Sequence, residues 1–377
     1  MRKDWEYKKL GEIAENKLSY GSGASAIPFD NKTRYIRITD IDDFGNLKES
    51  IVSPNVVEDK YLLSDGDILF ARSGATVGKT FLYKERYGEC IYAGYLIRLV
   101  PNQQMVLPGY VYCYTQSHYY KSFVESNKKV VAQPNINAQQ YAALQIPLPP
   151  KSTQEAIVAE LDKLNEMIRL KKQQLEDYDQ LAQSIFYEMF GDPVENEKGW
   201  EVKKLKEVSR LINGRAYKQN ELLSNGKYKV LRVGNFFTNN SYYYSDLELD
   251  EEKYCENGDL LFAWSASFGA FIWRGNKSIY HYHIWKILFD YDKLHLYYFQ
   301  YLLNTMTNYF MNHVHGIGMV HLTKNGMEEY ILPLPPLPLQ QQFAARIEAI
   351  EQQKQQVKDT IKDLETLLAS RMQYWFD

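Results

Sequence analysis

Five segments of this 377-residue chain occur twice in the same order, and that duplication restricts the fold before any single motif is weighed. Trp5-Glu6-Tyr7-Lys8-Lys9-Leu10 returns as Trp200-Glu201-Val202-Lys203-Lys204-Leu205, and Ile36-Arg37-Ile38-Thr39-Asp40-Ile41 returns as Leu231-Arg232-Val233-Gly234-Asn235-Phe236, both 195 residues on. Gly66-Asp67-Ile68-Leu69-Phe70-Ala71 returns as Gly258-Asp259-Leu260-Leu261-Phe262-Ala263 at 192. Ile91-Tyr92 and Arg98-Leu99 match Ile279-Tyr280 and Lys286-Ile287 at 188, and Ile146-Pro147-Leu148-Pro149-Pro150 matches Leu332-Pro333-Leu334-Pro335-Pro336 at 186. The steadily shrinking offset means that the second copy has shorter loops.

Each copy is a block of short β-branched and aromatic runs, followed by one long helical pattern. Tyr35 to Ile38, Ile68 to Ala71, Thr80 to Tyr83 and Tyr95 to Val100 are strand candidates, punctuated by Gly and Asp-Gly turns. Tyr110 to Ser122 and Leu294 to Tyr309 have amphipathic helical spacing. The blocks at 1–150 and 197–336 are therefore expected to be tandem α+β domains, with a central long helix and linker over 151–196 and a second long helix over 337–377.

Ser152-Thr153-Gln154-Glu155 has capping-box spacing, and an apolar heptad pattern follows it through Ile157, Leu161, Leu164, Ile168, Leu175, Tyr178, Ala182, Ile185 and Met189. Phe343, Ile347, Ile350, Val357, Ile361, Leu364, Leu368 and Trp375 repeat the pattern 186 residues later, with Lys354 in the place of Ile168. The flanks Lys171-Lys172-Gln173-Gln174 and Gln352-Gln353-Lys354-Gln355-Gln356 are too polar for a helix buried all round. If the ends of the second block lie close together, the second helix runs back along the first. The expected fold is thus two α+β domains separated and joined by an antiparallel coiled coil with pseudo-two-fold symmetry.

Charge and composition narrow the function classes. The three cysteines, Cys90, Cys113 and Cys255, have no CxxC spacing, which points to a reducing compartment rather than a disulfide scaffold or zinc ribbon. No run of about 18 apolar residues is present, and Met1-Arg2-Lys3-Asp4-Trp5-Glu6 is charged where a signal peptide is apolar, so a cytoplasmic location without membrane contact is expected. Net charge is -3, but 151–196 carries 5 basic and 10 acidic residues while the two blocks are near neutral. An acidic rod suits protein partners better than phosphates.

Two tandem α+β blocks, each ending in Leu-Pro-Leu-Pro-Pro or a near copy and running into a Gln-rich helix, resemble the specificity subunit of type I restriction-modification systems. The resemblance covers essentially the whole chain. Its most specific parts are Ile146 to Ile157, Leu332 to Phe343, the Trp-Glu-x-Lys-Lys-Leu motif, and the run from Gly66 through Arg72-Ser73-Gly74 to Gly78. The resemblance implies two target-recognition domains, each reading half of a bipartite double-stranded DNA sequence, with the helices as a ruler for the unread spacer. It also implies that catalysis lies elsewhere. The partners it implies are two methyltransferase subunits that use S-adenosylmethionine and, where they accompany it, restriction or motor subunits that use ATP, and this chain is expected to bind no cofactor or metal itself.

Readout is expected where the two copies differ most, with Arg and Lys suited to guanine, Asn and Gln to adenine, and Gly-Ser backbone to phosphate. In the first block the candidates are Tyr20 and Ser22, Arg72 and Ser73, Lys79, Lys128 and Lys129, and Gln133 and Asn135. In the second they are Asn213, Arg215 and Tyr217, Trp264 and Ser265, and His313, His315 and His321. Polar loop residues are also commonly just solvated, and Arg37 and Arg232 suit structural ion pairs as well as phosphates. Truncating Arg215 should relax sequence choice if it reads a base and weaken all sequences alike if it holds a phosphate. Leu170, Leu181 and Phe186 lie off the seam, where they suit either a partner helix or a thicker helical core.

Other motifs lead away from chemistry. Gly74-Ala75-Thr76-Val77-Gly78-Lys79 has three residues between its glycines where a phosphate-binding loop needs four. His281-Tyr282-His283 and His313-Val314-His315 lack a flanking ligand cluster. No nucleophilic triad, paired-carboxylate site or methyltransferase motif is found, so a targeting subunit rather than an enzyme is expected. The alternative from another class is a scaffold that binds no DNA and whose end domains hold proteins.

Overall fold

The computed structural model describes residues 5–42, 45–128, 134–237, 241–312 and 322–376. They form two compact units, Met1–Lys172 with Asp359–Asp377 (unit 1) and Gln173–Lys358 (unit 2). Among the described residues no helix is long and apolar enough to cross a membrane.

Unit 1 contains strands β1 (Glu6–Lys9), β2 (Ser19–Tyr20), β3 (Ala26–Pro28), β4 (Arg34–Ile36), β5 (Val52–Pro54), β6 (Ile68–Ala71), β7 (Thr80–Leu82), β8 (Cys90–Tyr92), β9 (Leu96–Leu99) and β10 (Gln145–Leu148). The central sheet has the order β2-β9-β6-β7, with β4 and β8 parallel beside it in a second pair and β1 antiparallel to β10. β6 is buried along its whole length because both faces are covered. Ile68 and Phe70 face the helices, whereas Leu69 and Ala71 face the core that holds Tyr92 and Phe81.

Unit 2 repeats this plan with β11 (Glu201–Lys204), β12 (Ser209–Asn213), β13 (Tyr228–Leu231), β14 (Tyr243–Ser245), β15 (Tyr254–Cys255), β16 (Leu260–Ser265), β17 (Ser267–Ile272), β18 (Ser278–Tyr280), β19 (Ile284–Phe289) and β20 (Ile331–Leu334). Its sheet order is β12-β19-β16-β17, β13 is parallel to β18, and β11 is antiparallel to β20. The repeated Gly-Asp that precedes β6 and β16 has one cause in both places. Gly66 and Gly258 sit at φ 91° and 99°, in the left-handed region. The aspartate that follows caps the turn, Asp67 on the Ser64 N–H and Asp259 on the Glu256 N–H, both at 2.7 Å. Each also pairs with a cation from the neighbouring strand, Arg98 at 2.6 Å and Lys286 at 2.8 Å.

The two long helices are Lys151–Phe190 and Leu337–Phe376, forty residues each. In unit 1, Glu160 bonds Arg371 and Trp375, and Lys172 pairs with Glu365 at 3.0 Å. Rising numbers on one helix meet falling numbers on the other, so the pair is antiparallel. Unit 2 has the same sense, through Asp179 with Lys354 and Phe186 with Phe343. Ile157, Leu161, Leu164, Ile168, Phe343, Ile347, Ile350, Val357, Ile361 and Leu364 are buried, while Leu175, Ile185 and Leu368 are half-buried. Lys354 is tolerated on the seam because Asp179 and Glu351 neutralise it. Burial works to lower its pKa, and these two carboxylates outweigh that and raise it.

Three expectations need correction. Ser152 does not cap the first long helix, which already begins at Lys151, and the Pro150 carbonyl accepts the Thr153 and Gln154 N–H groups instead. Tyr110 to Ser122 is not one helix, because it breaks between Pro108–Tyr114 and His118–Lys128. Buried Thr115 there donates to the Tyr112 carbonyl and shares a 2.8 Å hydrogen bond with Thr80. Leu294 to Tyr309 likewise divides into Leu296–Thr305 and Thr307–Asn312. Phe186 proves to be fully buried in the core of unit 2, whereas Leu170 and Leu181 remain exposed.

Candidate nucleic-acid interface

The same backbone corner is built in both units. In unit 1, Gly21 follows β2 and lies so close to the turn after β8 that a Cβ would stand 2.3 Å from the Ala93 carbonyl oxygen and 2.4 Å from that of Tyr92. In unit 2, Gly214 follows β12, and its Cβ would meet the Tyr280 and His281 carbonyl oxygens at 2.3 and 2.4 Å. The residue after β6, Arg72, donates its N–H to the Tyr95 carbonyl at 3.0 Å. Trp264, at the matching position of β16, donates to His283 at 3.1 Å. The frame is held in common; the side chains on it are not.

In unit 1 the corner carries Tyr20, Arg72, Ser73, Tyr95 and Asn135. The Arg72 guanidinium lies over the Tyr20 ring, 4.7 Å from its centroid. The Tyr20 hydroxyl accepts the Ala138 N–H at 3.1 Å, and Ser73 bridges to Asn135. Ser22 is only 3% exposed, its hydroxyl accepting the Ala24 N–H and its carbonyl accepting the Tyr35 hydroxyl. It holds the turn and presents little to the outside.

Lys79 and Lys128 lie apart from that corner, in an open cleft of about 250 Å³ shared with Lys121, Gln116 and Asp42. Lys79 reaches the Ile41 carbonyl at 3.3 Å, and Lys128 pairs with Glu125 at 2.7 Å. After its short turn, the Gly74 to Lys79 segment enters β7 rather than a helix.

In unit 2 the corner is aromatic. Trp264 stacks on buried Trp285 at 5.3 Å, meets His283 edge-on at 5.1 Å, and donates its indole N–H to the Tyr282 carbonyl. Ser265 is buried beside Ala266, which takes φ 64° at the tip of the β16–β17 hairpin. Asn213 pairs with Trp285 in the sheet, and its carbonyl accepts the Lys253 ammonium at 2.8 Å. Arg215 is held by both carboxylate oxygens of Glu221, at 2.9 and 2.8 Å. Those bonds, with the Lys218 N–H, lower the Glu221 pKa to about 2. Tyr217 packs beneath this pair, where burial pushes its phenol up. Lys129, Gln133, His313, His315 and His321 lie outside the described residues.

The type I restriction modification DNA specificity domain matches this chain twice, over residues 2–177 and 197–366. The chain belongs to that family. The type I restriction enzyme MjaVIII specificity subunit of Methanocaldococcus jannaschii is 22% identical, over 97% of this chain and 92% of its own. The S subunit of a type I restriction-modification system from M. genitalium has the same fold, at 14% identity and a TM-score of 0.61, covering all of this chain and 98% of that one. A chain from a structure of a type I R-M system, described for its assembly and conformational transition, matches at 19% identity and TM-score 0.57, over 99% of this chain and 97% of that one.

Between the two specificity domains, pairing of matched residues shows what differs. Arg37 is engaged by Asp40 through two bonds of 3.0 and 2.8 Å, whereas its counterpart Arg232 is exposed and lies over Tyr243 at 5.2 Å. Sequence reading missed Tyr95, which is 61% exposed, and Tyr282 at 38%. The 188-residue offset that relates Ile91 to Ile279 also relates Tyr95 to His283, and would have located that position.

Proposed function

We propose that this chain is the sequence-reading subunit of a type I restriction-modification complex, in which each specificity domain recognises one half of a bipartite DNA target. The observation that carries this is the repeated corner with unlike side chains: Gly21 and Gly214 make the same close approach, while Tyr20, Arg72 and Tyr95 are replaced by Asn213, Trp264 and His283. Fold-bearing positions are kept and outward ones exchanged, as a pair of independent readers requires. Arg, Lys and Asn side chains supply donors to base edges and phosphates, and the exposed aromatics supply stacking or apolar contact.

The chain itself carries out no reaction and binds no cofactor in this proposal. Two methyltransferase subunits supply S-adenosylmethionine chemistry, and ATP-dependent restriction subunits join them, in the cytoplasm. The acidic long helices support a role in holding such protein partners rather than phosphates. Each long helix contributes residues to both units. Their length is accordingly proposed to set the unread spacer, and one heptad added to each should change it by roughly three base pairs, from about 1.5 Å per residue against 3.4 Å per base pair.

The test is to map methylated adenines in cells with and without the gene, and then with residues 1–150 exchanged for another such domain. One half-site should change while the other persists. Two altered halves would contradict independent reading. Proteins retained at moderate salt, with no preference among duplex sequences, would favour the protein-binding scaffold instead.

A further inference from the structure

We propose that Arg72, held over the Tyr20 ring, is the side chain that reads a guanine in the first half-site. The inference rests on the sequence-reading function above and names a contact for it. Most arginine forks near the sheets already have an acceptor: Arg37 has Asp40, Arg98 has Asp67, and Arg215 has Glu221. Among the described residues no carboxylate pairs with the Arg72 guanidinium. Its Nε is buried and unpartnered, as is that of Arg98, which leaves only the terminal N–H groups of this half-buried side chain for an outside acceptor.

The fork is also held still. The Arg72 backbone is pinned on both sides, by its N–H to Tyr95 and by the Ile136 N–H to its carbonyl at 2.9 Å. The Tyr20 ring lies beneath the guanidinium at 4.7 Å, and Tyr20 is fixed in turn by pairing with Ile97 and by the Ala138 N–H on its hydroxyl. A guanidinium held over a ring face by cation–π attraction still has its terminal N–H groups to offer as a fork. O6 and N7 of guanine offer two acceptors with matching spacing in the major groove. A phosphate offers two acceptors as well, but a rigid, half-buried fork at a corner that differs between the copies suits base choice better. The lysines of the separate cleft, half-buried Lys79 and Lys128 with exposed Lys121, suit the backbone. In unit 2, Trp264 and Asn213 occupy these two positions, so the second half-site is read by other chemistry.

The experiment uses the full chain in the cells that carry its partners, comparing methylated motifs for the unaltered protein, Arg72→Lys and Arg72→Ala. Lysine keeps the charge and loses the fork. Both variants should relax one guanine position in the first half-site and leave the second half-site unchanged. Binding of the unaltered protein to duplexes carrying 7-deazaguanine at each guanine in turn should weaken at one position, by roughly two- to tenfold, since N7 is lost and O6, the other acceptor of the bidentate pair, remains. This arm needs no variant and is independent of any folding defect. An intact motif in both variants would overturn the proposal while leaving the reading of DNA in place. Uniform weakening across sequences, with Lys restoring binding, would mark a phosphate contact and also overturn it. Absence of any bipartite motif with the unaltered protein would instead remove the underlying function.

Discussion

Phe376 packs its ring against Tyr110 in unit 1, with centroids 5.8 Å apart, as Phe190 packs against Tyr298 at 4.7 Å in unit 2. Both phenylalanines are buried, at 2% and 3% exposure, and both come from the last turn of a long helix. The core of unit 1 is therefore completed by the helix that starts in unit 2. Phe376→Ala should destabilise unit 1 by about 3 to 5 kcal/mol, the usual range for a buried aromatic. Differential scanning calorimetry should show an early transition assigned to unit 1 in this variant, and to unit 2 in Phe190→Ala. A single unshifted transition in both would contradict the division into units.

Gly21 and Gly214 should be among the least replaceable residues in the protein. Backbone carbonyls, which cannot rotate away as a side chain can, occupy the space of a Cβ at 2.3 Å. Gly21→Ala and Gly214→Ala should each cost on the order of 3 kcal/mol or more, as backbone must shift to relieve the clash. The neighbouring Gly23, with nothing within 4 Å of a Cβ, should accept alanine with little loss. Urea unfolding of the three variants checks the contrast.

The duplication and the antiparallel helices were legible because buried repeats are periodic and charges on the seam are few. Ile157, Leu161, Leu164 and Ile168, with Val357, Ile361 and Leu364, were expected to face a partner helix, and all are buried. The polar ends of those helices were less legible. Ser152 has capping-box spacing but lies inside the helix, while Gln154 and Gln340, 186 residues apart, tie the helix start to the block. Gln154 accepts the Leu107 N–H and donates to Pro149, and Gln340 accepts the His295 N–H and donates to Pro335. Nothing in a glutamine-rich run distinguishes the buried glutamine from its solvated neighbours. At the corner, Arg72 and Trp264, unlike in sequence, hold matching backbone positions, but burial of Ser22 and the Glu221 clasp on Arg215 depend on tertiary contacts invisible in residue type.

That clasp changes what truncation of Arg215 should do. With both carboxylate oxygens of Glu221 on its guanidinium, Arg215 has less of its fork to offer a base. Arg215→Ala should leave the base preferences of the second half-site intact, with at most a few-fold uniform loss of affinity. Comparison of methylated motifs provides the readout, and a position that becomes degenerate would show that DNA displaces Glu221. The Glu221 carboxylate, held near a pKa of about 2, is ionised in the folded state well below the usual Glu value. Its contribution is therefore present above about pH 4.3, declines as pH falls toward 2, and leaves the clasp closed at every pH used for DNA binding.

His281 supplies the opposite titration. Burial, with His283 and Arg232 adding positive charge nearby, lowers its pKa to about 4. Arg215 bridges to it through the backbone, and Tyr282 lies beside its ring at 4.5 Å. A histidine whose folded pKa is depressed binds a proton in the unfolded chain first. Its contribution to stability is complete above pH 6.5 and is lost as pH falls from 6.5 to about 4, where both states are protonated. The difference is about 1 to 3 kcal/mol after allowance for the part of the ring that solvent reaches. Urea unfolding at pH 7.5 and 4.5 should show His281→Gln losing less stability on acidification than the unaltered protein, by that amount. Equal losses would place the acid sensitivity in the carboxylates alone, and would mean that His281 is solvated enough to titrate normally.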